Sequence, residues 1–417
     1  MWISYQYRSS RRRASLPVRC LSAMALGSLL LIVFPGPARG ELIPAFARKY
    51  RVSCQLCHNP VPTLTEFGET FAGNGFRFGA EEAPRDTIDT GDQLLELAKD
   101  LPLAMRLDAY AQIFTNGESG VDLETPYNLK ILTGGTISKK LSYYLYFFLF
   151  ERGEVGGIED AFIYVNDIGG APMDVAIGQF QVSDPMFKRE LRLEFEDYAI
   201  YRARIGRQPA DLTYDRGISV IWDVADLTLT GTVVNGNGRG EAEPNRRLDD
   251  DLVKNFFVHA SRPITSGLRL GLMGYYGQQK GQIGAGPEVE NELWMFGLDG
   301  SLTAGRFEFN GQYLHREDDA PTFAVVEPNV QTDGGFVEAI YRFSNGRWHA
   351  TALYNVIYSD RPLLNVRLGG PGNVNRWQTL SGGLGYVLQR NFRVLGEVGW
   401  DVEGETSRWT VGLVTAF

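Results

Sequence analysis

From residue 102 onward the chain alternates. In "LAMRLDAYAQIF", Leu103, Met105, Leu107, Ala109, Ala111 and Ile113 share one face, while Arg106, Asp108, Tyr110 and Gln112 share the other. A period of two is that of a strand with one apolar and one polar side. "RFEFNGQYL", "RWHATALYNVIY" and "FRVLGEVGW" repeat the pattern, and Gly, Asn, Asp and Pro punctuate it. Runs fall near 103–114, 127–136, 140–151, 158–166, 173–182, 213–222, 224–235, 252–262, 266–277, 291–302, 305–315, 334–344, 347–358, 377–388, 391–402 and 406–417.

Connection length alternates as well. Short turns such as Ser344-Asn345-Gly346 and Gln389-Arg390-Asn391 alternate with long links near 183–212, 236–251, 316–333 and 359–376. A soluble sandwich has no reason to segregate its loops this way. A transmembrane barrel does, with short turns at one rim and long loops at the other. No apolar stretch after residue 40 is long enough for a membrane helix, which leaves closed strands as the way to span. The run Trp409 to Phe417 has apolar residues at alternate positions before an aromatic, and it resembles the closing strand of bacterial outer-membrane proteins. The aromatic content of 12% suits interfacial girdles. The expected fold is all-β: a transmembrane antiparallel β-barrel of about 16 strands over 101–417, preceded by a small, mostly helical N-terminal segment.

The first forty residues read as an export signal. Arg8, Arg11, Arg12, Arg13 and Arg19 form a basic start, Leu21 to Phe34 is apolar, and Ala38-Arg39-Gly40 offers a small-x-small cleavage site. Removing 1–40 takes away six arginines and no acid, so the formal charge moves from -9 to -15. An acidic exported chain is a poor nucleic-acid binder.

Cleavage also sharpens the cysteine inventory. Cys20 leaves with the signal, and Cys54 and Cys57 remain, in "Cys54-Gln55-Leu56-Cys57-His58". A zinc site needs further Cys or His at regular spacing, and none follows nearby. A thioredoxin-type pair belongs to a βαβ pattern, which is absent. C-x-x-C-H is the attachment run for haem c: two thioethers to the vinyl groups, with the adjacent His as proximal iron ligand. A disulfide beside an incidental His is the alternative. We therefore expect one haem c on Cys54, Cys57 and His58, in a segment and linker spanning 41–100. Within that linker, Gln93 to Lys99 reads as a short helix capped by Asp92 or Thr90.

The stretch "IPAFARKYRVSCQLCH" (43–58), followed by "Pro62-Thr63-Leu64-Thr65-Glu66-Phe67-Gly68" and "Asn74-Gly75-Phe76", resembles a family of exported monohaem cytochrome segments fused to outer-membrane barrels. The barrel loosely resembles phosphate-selective, O/P-type porins. The likeness rests on "Gly178-Gln179-Phe180", "Asp184-Pro185-Met186", "Leu193-Glu194-Phe195-Glu196-Asp197" and "Tyr214-Asp215-Arg216-Gly217-Ile218". That resemblance implies a lumenal ladder of basic residues. Here Lys188, Arg189, Arg192, Arg202, Arg204, Arg207 and Arg216 are interleaved with Glu190, Glu194, Glu196, Asp197 and Asp215, which offsets such a ladder.

One strand departs from the alternation. "Tyr143-Tyr144-Leu145-Tyr146-Phe147-Phe148-Leu149-Phe150" is apolar on both faces, although one face should meet a wet lumen. Either it forms a wall of stacked aromatics, or the N-terminal segment and its haem fill the lumen there.

Residues 59–102 contain no His and no Met, so a sixth iron ligand must come from elsewhere or be absent. Met105 is counted out, on the lipid face, and His315 lies at the far end of its strand. His349 follows a short turn and shares a face with Thr351 and Asn355, which points it into the lumen near the haem segment. His259 is the second candidate and Lys49 a third.

The functional expectation is an outer-membrane c-type cytochrome in a porin-like barrel, exchanging single electrons with periplasmic redox proteins, the haem segment on the periplasmic side. The competing reading is a diffusion porin, for a small solute or anion, whose haem plug gates or senses. Peroxidase-like catalysis requires an open iron site.

Overall fold

The computed structural model describes residues 45–417 apart from 59–63, 80–81, 83–86, 100–101, 117, 187–192, 194–195, 241, 243–244, 250–251, 366–372 and 390. The expected signal peptide, and Lys188, Arg189, Glu190, Arg192 and Glu194 of the interleaved charges, lie outside the described residues.

Sixteen antiparallel strands close into a barrel. In chain order they are β1 Leu103–Asn116, β2 Glu118–Thr136, β3 Leu141–Glu151, β4 Gly157–Val165, β5 Met173–Gln181, β6 Tyr214–Val224, β7 Leu227–Val234 and β8 Asn255–Thr265. They continue with β9 Leu268–Gln282, β10 Glu288–Ala304, β11 Phe307–Asp318, β12 Val330–Arg342, β13 Trp348–Ser359, β14 Arg376–Gln389, β15 Phe392–Asp401 and β16 Thr406–Ala416. Each pairs with its neighbours in sequence, and β16 returns to β1, from Arg408 opposite Phe114 to Ala416 opposite Arg106. All sixteen runs expected from the alternation are strands.

The faces sort as the period of two requires, but inverted relative to a soluble protein. Asp108, Gln112, Asn310, Gln312, Glu338, Thr351 and Asn355 are buried in the interior. Val258, Leu272, Phe296, Leu298, Val337, Leu380 and Val411 are exposed on the outside. An apolar outer belt around a polar interior is the arrangement that lipid demands.

Two features differ from expectation. Residues 118–126, Pro126 among them, belong to β2, although the alternating run is expected only from about 127. The register shifts between Asp108 and Tyr110 opposite this point, so the proline, which cannot donate to a ladder, sits at a bulge. Gln93 to Lys99 is not a helix. Glu96–Ala98 instead pairs antiparallel with Thr87–Asp89 as a small hairpin. The would-be caps make its turn: Asp92 accepts from the Leu94 N–H at 2.9 Å, Thr90 donates to the Leu95 carbonyl at 3.0 Å, and Gly91 supplies a φ of +73°.

The N-terminal segment contains α1 Ala45–Tyr50, α2 Cys54–Cys57 and α3 Glu66–Gly73. It seats at the short-turn end of the barrel. Arg48 donates to the Leu103 carbonyl at 2.6 Å and Lys49 to the Thr136 hydroxyl at 3.2 Å. Arg77 is almost wholly buried. It reaches the Lys139 carbonyl at 2.8 Å in one short turn and the Asp167 carboxylate at 3.5 Å in the next. Gly75 has a φ of +63°, and a Cβ there would collide with the Ser142 hydroxyl. Phe76 stacks on Tyr144 of β3, with ring centres 4.8 Å apart. The doubly apolar strand is therefore covered by the N-terminal segment at Tyr144 and continues as an aromatic wall toward Phe162.

The described residues of the 182–213 connection fold into the lumen from the opposite, long-loop end. Tyr198 stacks on Phe336 with ring centres 3.8 Å apart and donates to Glu338 at 2.8 Å. The short helix α4, Ala199–Arg202, starts where Asn355 accepts from the Ala199 N–H at 3.1 Å. Arg316 donates to the Ala210 carbonyl at 3.1 Å, Arg269 donates to that of Met186 at 2.9 Å, and Glu196 pairs with Arg408. Polar groups on the inner wall thus anchor a loop with an apolar core of Tyr201, Ile205 and Leu212.

The outward face makes a direct test. Leu298 points out at mid-strand, between Leu272 and Tyr313. Leu298→Arg is expected to destabilise the barrel by about 2–4 kcal/mol in lipid vesicles. The measurement is a denaturant titration of folded, heat-modifiable protein. No loss of stability would place this face in water.

Candidate functional site

The C-x-x-C-H run occupies a single turn, α2, capped by the Ser53 hydroxyl, which accepts from the Gln55 N–H at 3.3 Å. Cys54 and Cys57 are three residues apart on that turn, both free and partly buried. Burial pushes both thiols above their ordinary range, and for Cys57 the neighbouring Cys54 adds to the effect. Both therefore stay protonated at neutral pH. His58 closes the turn, its N–H donating to the Cys54 carbonyl at 2.8 Å.

The residues after the run clamp it. The Thr65 N–H donates to the Cys57 carbonyl at 2.8 Å, and its hydroxyl donates to the Leu56 carbonyl at 2.7 Å. The same hydroxyl caps α3 by accepting from the Gly68 N–H at 3.1 Å. A Cβ at Gly68 would collide with the Cys57 carbonyl oxygen. This is the physical content of "Thr65-Glu66-Phe67-Gly68": a cap and a bare backbone let α3 lie directly on α2. Behind the turn, Phe46, Tyr50, Phe71, Phe76 and Phe78 form an aromatic cluster. Its contacts include Phe46 on Phe76 at 5.0 Å and Tyr50 edge-on to Phe78 at 4.2 Å.

Cys54, Cys57 and His58 all line the barrel lumen, a continuous cavity of about 3260 Å³. Its lining runs from the short turns at Gly305 and Gly346 to Arg152 and Gly240 at the long-loop end. Ligand sites for drug-sized molecules occupy roughly 300–1,000 Å³, so a bulky planar group fits. Two thiols and an imidazole on one turn, facing that space with Phe46, Tyr50, Leu64 and Phe71 beside them, fit a covalently held haem. Among the described residues no group of three or more His, Cys, Asp and Glu is placed to hold a bare metal ion.

The candidate sixth ligands separate. His349 faces the lumen at the short-turn end, as the parity of β13 requires. It is buried against Gly385, and its Nδ1 has no hydrogen-bond partner. His259 also faces inward, but its Nε2 is 2.8 Å from the Asp299 carboxylate, which also pairs with Arg269 at 3.1 Å. That ring belongs to the anchorage of the inward loop. Lys49 is engaged with Thr136. His315 lies on the outer surface against Trp294 and Phe296, bonded to Asp333 at 2.8 Å.

No protein-family model matches the chain, and no curated protein matches it in sequence. Solved structures do match in fold. The anion-selective porin from Comamonas acidovorans aligns with a TM-score of 0.56 and 12% identity over 76% of this chain and 99% of that one. OmpT of Vibrio cholerae, in its trimer form, aligns with a TM-score of 0.53 and 13% identity over 76% and 98%. The outer-membrane channel DcaP of Acinetobacter baumannii aligns with a TM-score of 0.52 and 11% identity over 76% and 97%. The fold is the closed sixteen-strand barrel that these porins and channels share, and the N-terminal turn is set into its mouth.

The clamp on α2 generates a prediction. Denaturing gels stained for haem peroxidase activity should show covalent haem at the mature mass. Cys54→Ser with Cys57→Ser should abolish the stain, and Gly68→Ala should reduce it while the barrel stays folded. Stain persisting in the double serine variant removes haem c from this site.

Proposed function

We propose that this chain is an outer-membrane diffusion channel for small solutes whose periplasmic mouth carries one haem c on Cys54, Cys57 and His58. The observation that supports the channel is the lumen itself. A single cavity is lined at both rims, and the 182–213 loop narrows it without filling it. Short turns face the periplasm in such barrels, which puts the N-terminal segment on that side. Opposed charges line the cavity: Glu196 and Asp197 on the loop, and Arg408 and Lys130 on the wall. That mixture favours small polar or charged solutes over apolar ones.

A second reading, single-electron exchange with periplasmic redox proteins, draws support from the position of α2. Leu56 is exposed between the two cysteines at the mouth, within reach of a soluble partner. When bound, the haem supplies a one-electron iron couple. This chain's part is to hold it by Cys54 and Cys57, ligate it by His58 and shield it with the aromatic cluster. One such group does not bridge a membrane core of about 30 Å, so conduction across the membrane needs further carriers.

Planar-bilayer recording of the full chain separates the readings. A channel gives discrete conductance steps that persist in the Cys54→Ser/Cys57→Ser variant. A plugged electron carrier gives none, and its reduced-minus-oxidised spectrum responds to periplasmic donors. His349 is tested in the same preparation. If it reaches the iron, the wild-type spectrum is low-spin, and His349→Ala shifts it toward high spin and opens it to carbon monoxide. Identical spectra exclude His349 as a ligand.

A further inference from the structure

The wall of the lumen above the N-terminal segment carries a cation whose own surroundings the proposed function leaves unexplained. Lys130 of β2 is 6% exposed, yet it lines the lumen. Its ammonium lies 4.4 Å from the ring centre of Phe148 and 5.5 Å from that of Tyr146. Among the described residues, no ion pair and no hydrogen bond holds it.

Its surroundings accentuate the imbalance. Register places Arg106 of β1 directly across from Lys130, and like charges facing each other on a sheet repel. The carboxylate between them, Asp108, is already engaged. One oxygen is 2.7 Å from the Arg106 Nε, and the other accepts from Asn128 at 3.2 Å. Arg393 of β15 joins the same wall, in the cross-strand row of Val414 and Asp108. Two other lumenal acids, Glu159 and Glu151, act on Lys130 only from a longer range and have closer partners of their own. Glu159 accepts from Tyr214 at 3.1 Å and lies 3.4 Å from Arg239, and Glu151 is 4.0 Å from Arg152. Desolvated cations crowded about one engaged carboxylate are costly to keep, so an anion delivered to them gains part of that cost back.

We propose that Lys130 and Arg106, with Arg393 two strands from Arg106 on β15, form a binding site for a carboxylate carried on an apolar, planar body. Neighbouring strands hold the two cations roughly 4.8 Å apart at the backbone, a spacing that two carboxylate oxygens can bridge. Tyr146 and Phe148 supply the apolar floor. Such a carboxylate has two sources. One is a propionate of the haem held by this chain's own mouth segment. The other is an aromatic carboxylate diffusing in the lumen. The second source rests on the channel reading, because a free solute reaches Lys130 only through the lumen.

Benzoate is the probe. It is titrated calorimetrically into the full chain and into full-chain Cys54→Ser/Cys57→Ser, both checked for barrel folding by heat-modifiable migration. The double variant should bind benzoate. Lys130→Gln in that background should weaken binding about tenfold, as loss of a charge-assisted contact does, and Lys130→Arg should restore it. If the haem-bearing chain also binds, the site serves a mobile solute. If it does not bind, and Lys130→Gln shifts its haem absorption band, a propionate occupies the site. Absence of binding in both preparations, or binding unchanged by Lys130→Gln, overturns the proposal. Conductance steps recorded on the same samples judge the channel reading separately. Steps without a benzoate site defeat only the site, and a site without steps defeats only the channel.

Discussion

The pairing of β16 with β1 is the interaction on which the rest of this molecule depends. Its final rung is reciprocal: the Phe417 N–H donates to the Met105 carbonyl at 2.8 Å, and the Met105 N–H donates to that of Phe417 at 2.6 Å. Without closure, two strand edges would present bare N–H and C=O groups to hydrocarbon, at several kcal/mol for each unmet group. Closure also creates an inside. Once there is one, alternation sends Asp108, Asn310 and Asn355 into it, and each polar group must then find a partner there. Some do so across the wall, as Ser219 with Thr232 at 2.8 Å and Asn291 with Asp318 at 3.0 Å. Others do so with the chain that folds inward, as Asn355 does in donating to the Asp197 carbonyl at 3.1 Å. The inner wall is thus a set of anchors, and what sits in the lumen is decided by which anchors are used.

The barrel was legible because a strand of a closed sheet is specified locally. Its period of two and its punctuation need no knowledge of the partner strand, so sixteen runs read from the sequence became sixteen strands. The errors came where a local rule was overridden by pairing. The run near 127–136 is shorter than its strand, which continues through Pro126 where a bulge opposite Asp108 and Tyr110 absorbs the proline. "Leu94-Leu95-Glu96-Leu97-Ala98" has helix-forming composition, but Thr90, Gly91 and Asp92 turn the chain back so that Ile88 pairs with Leu97. The inward course of 182–213 was not legible at all. Its signal was present in Tyr198, Ile200, Tyr201, Ile205 and Leu212, an apolar content that a loop at the water-facing rim would not tolerate.

The site divides along the same line. Cys54, Cys57 and His58 could be singled out because their chemistry depends on adjacent positions. The lumenal direction of His349 followed from counting residues beyond a turn. What surrounds these groups could not be counted. Asp299 lies 40 residues from His259 in sequence and takes up its Nε2. Arg77 reads as an ordinary surface cation, yet it is buried and binds two short turns of the barrel. Its removal would leave the Lys139 carbonyl and Asp167 without that partner, so the docking of the N-terminal segment rests on a residue that no motif marks.

The two inward segments together explain the strand that is apolar on both faces. The N-terminal segment occupies the lumen at β1 to β4 from the short-turn end, where Arg48, Lys49 and Arg77 hold it. The described residues of the 182–213 loop enter from the long-loop end and are held from β9 round to β16, by Arg269, Arg316, Glu338, Asn355 and Arg408. Tyr144 is covered because Phe76 stacks on it. Tyr146 and Phe148, farther along the same strand, are beyond that cover and carry Lys130 on their faces instead. An aromatic wall in a wet lumen is unfavourable only where nothing lies on it. Here a protein segment covers one part and a cation the next, so the strand keeps its inner aromatics along its length. The aromatic rings with Lys130 and the loop carboxylates Glu196 and Asp197 thus line one and the same lumen.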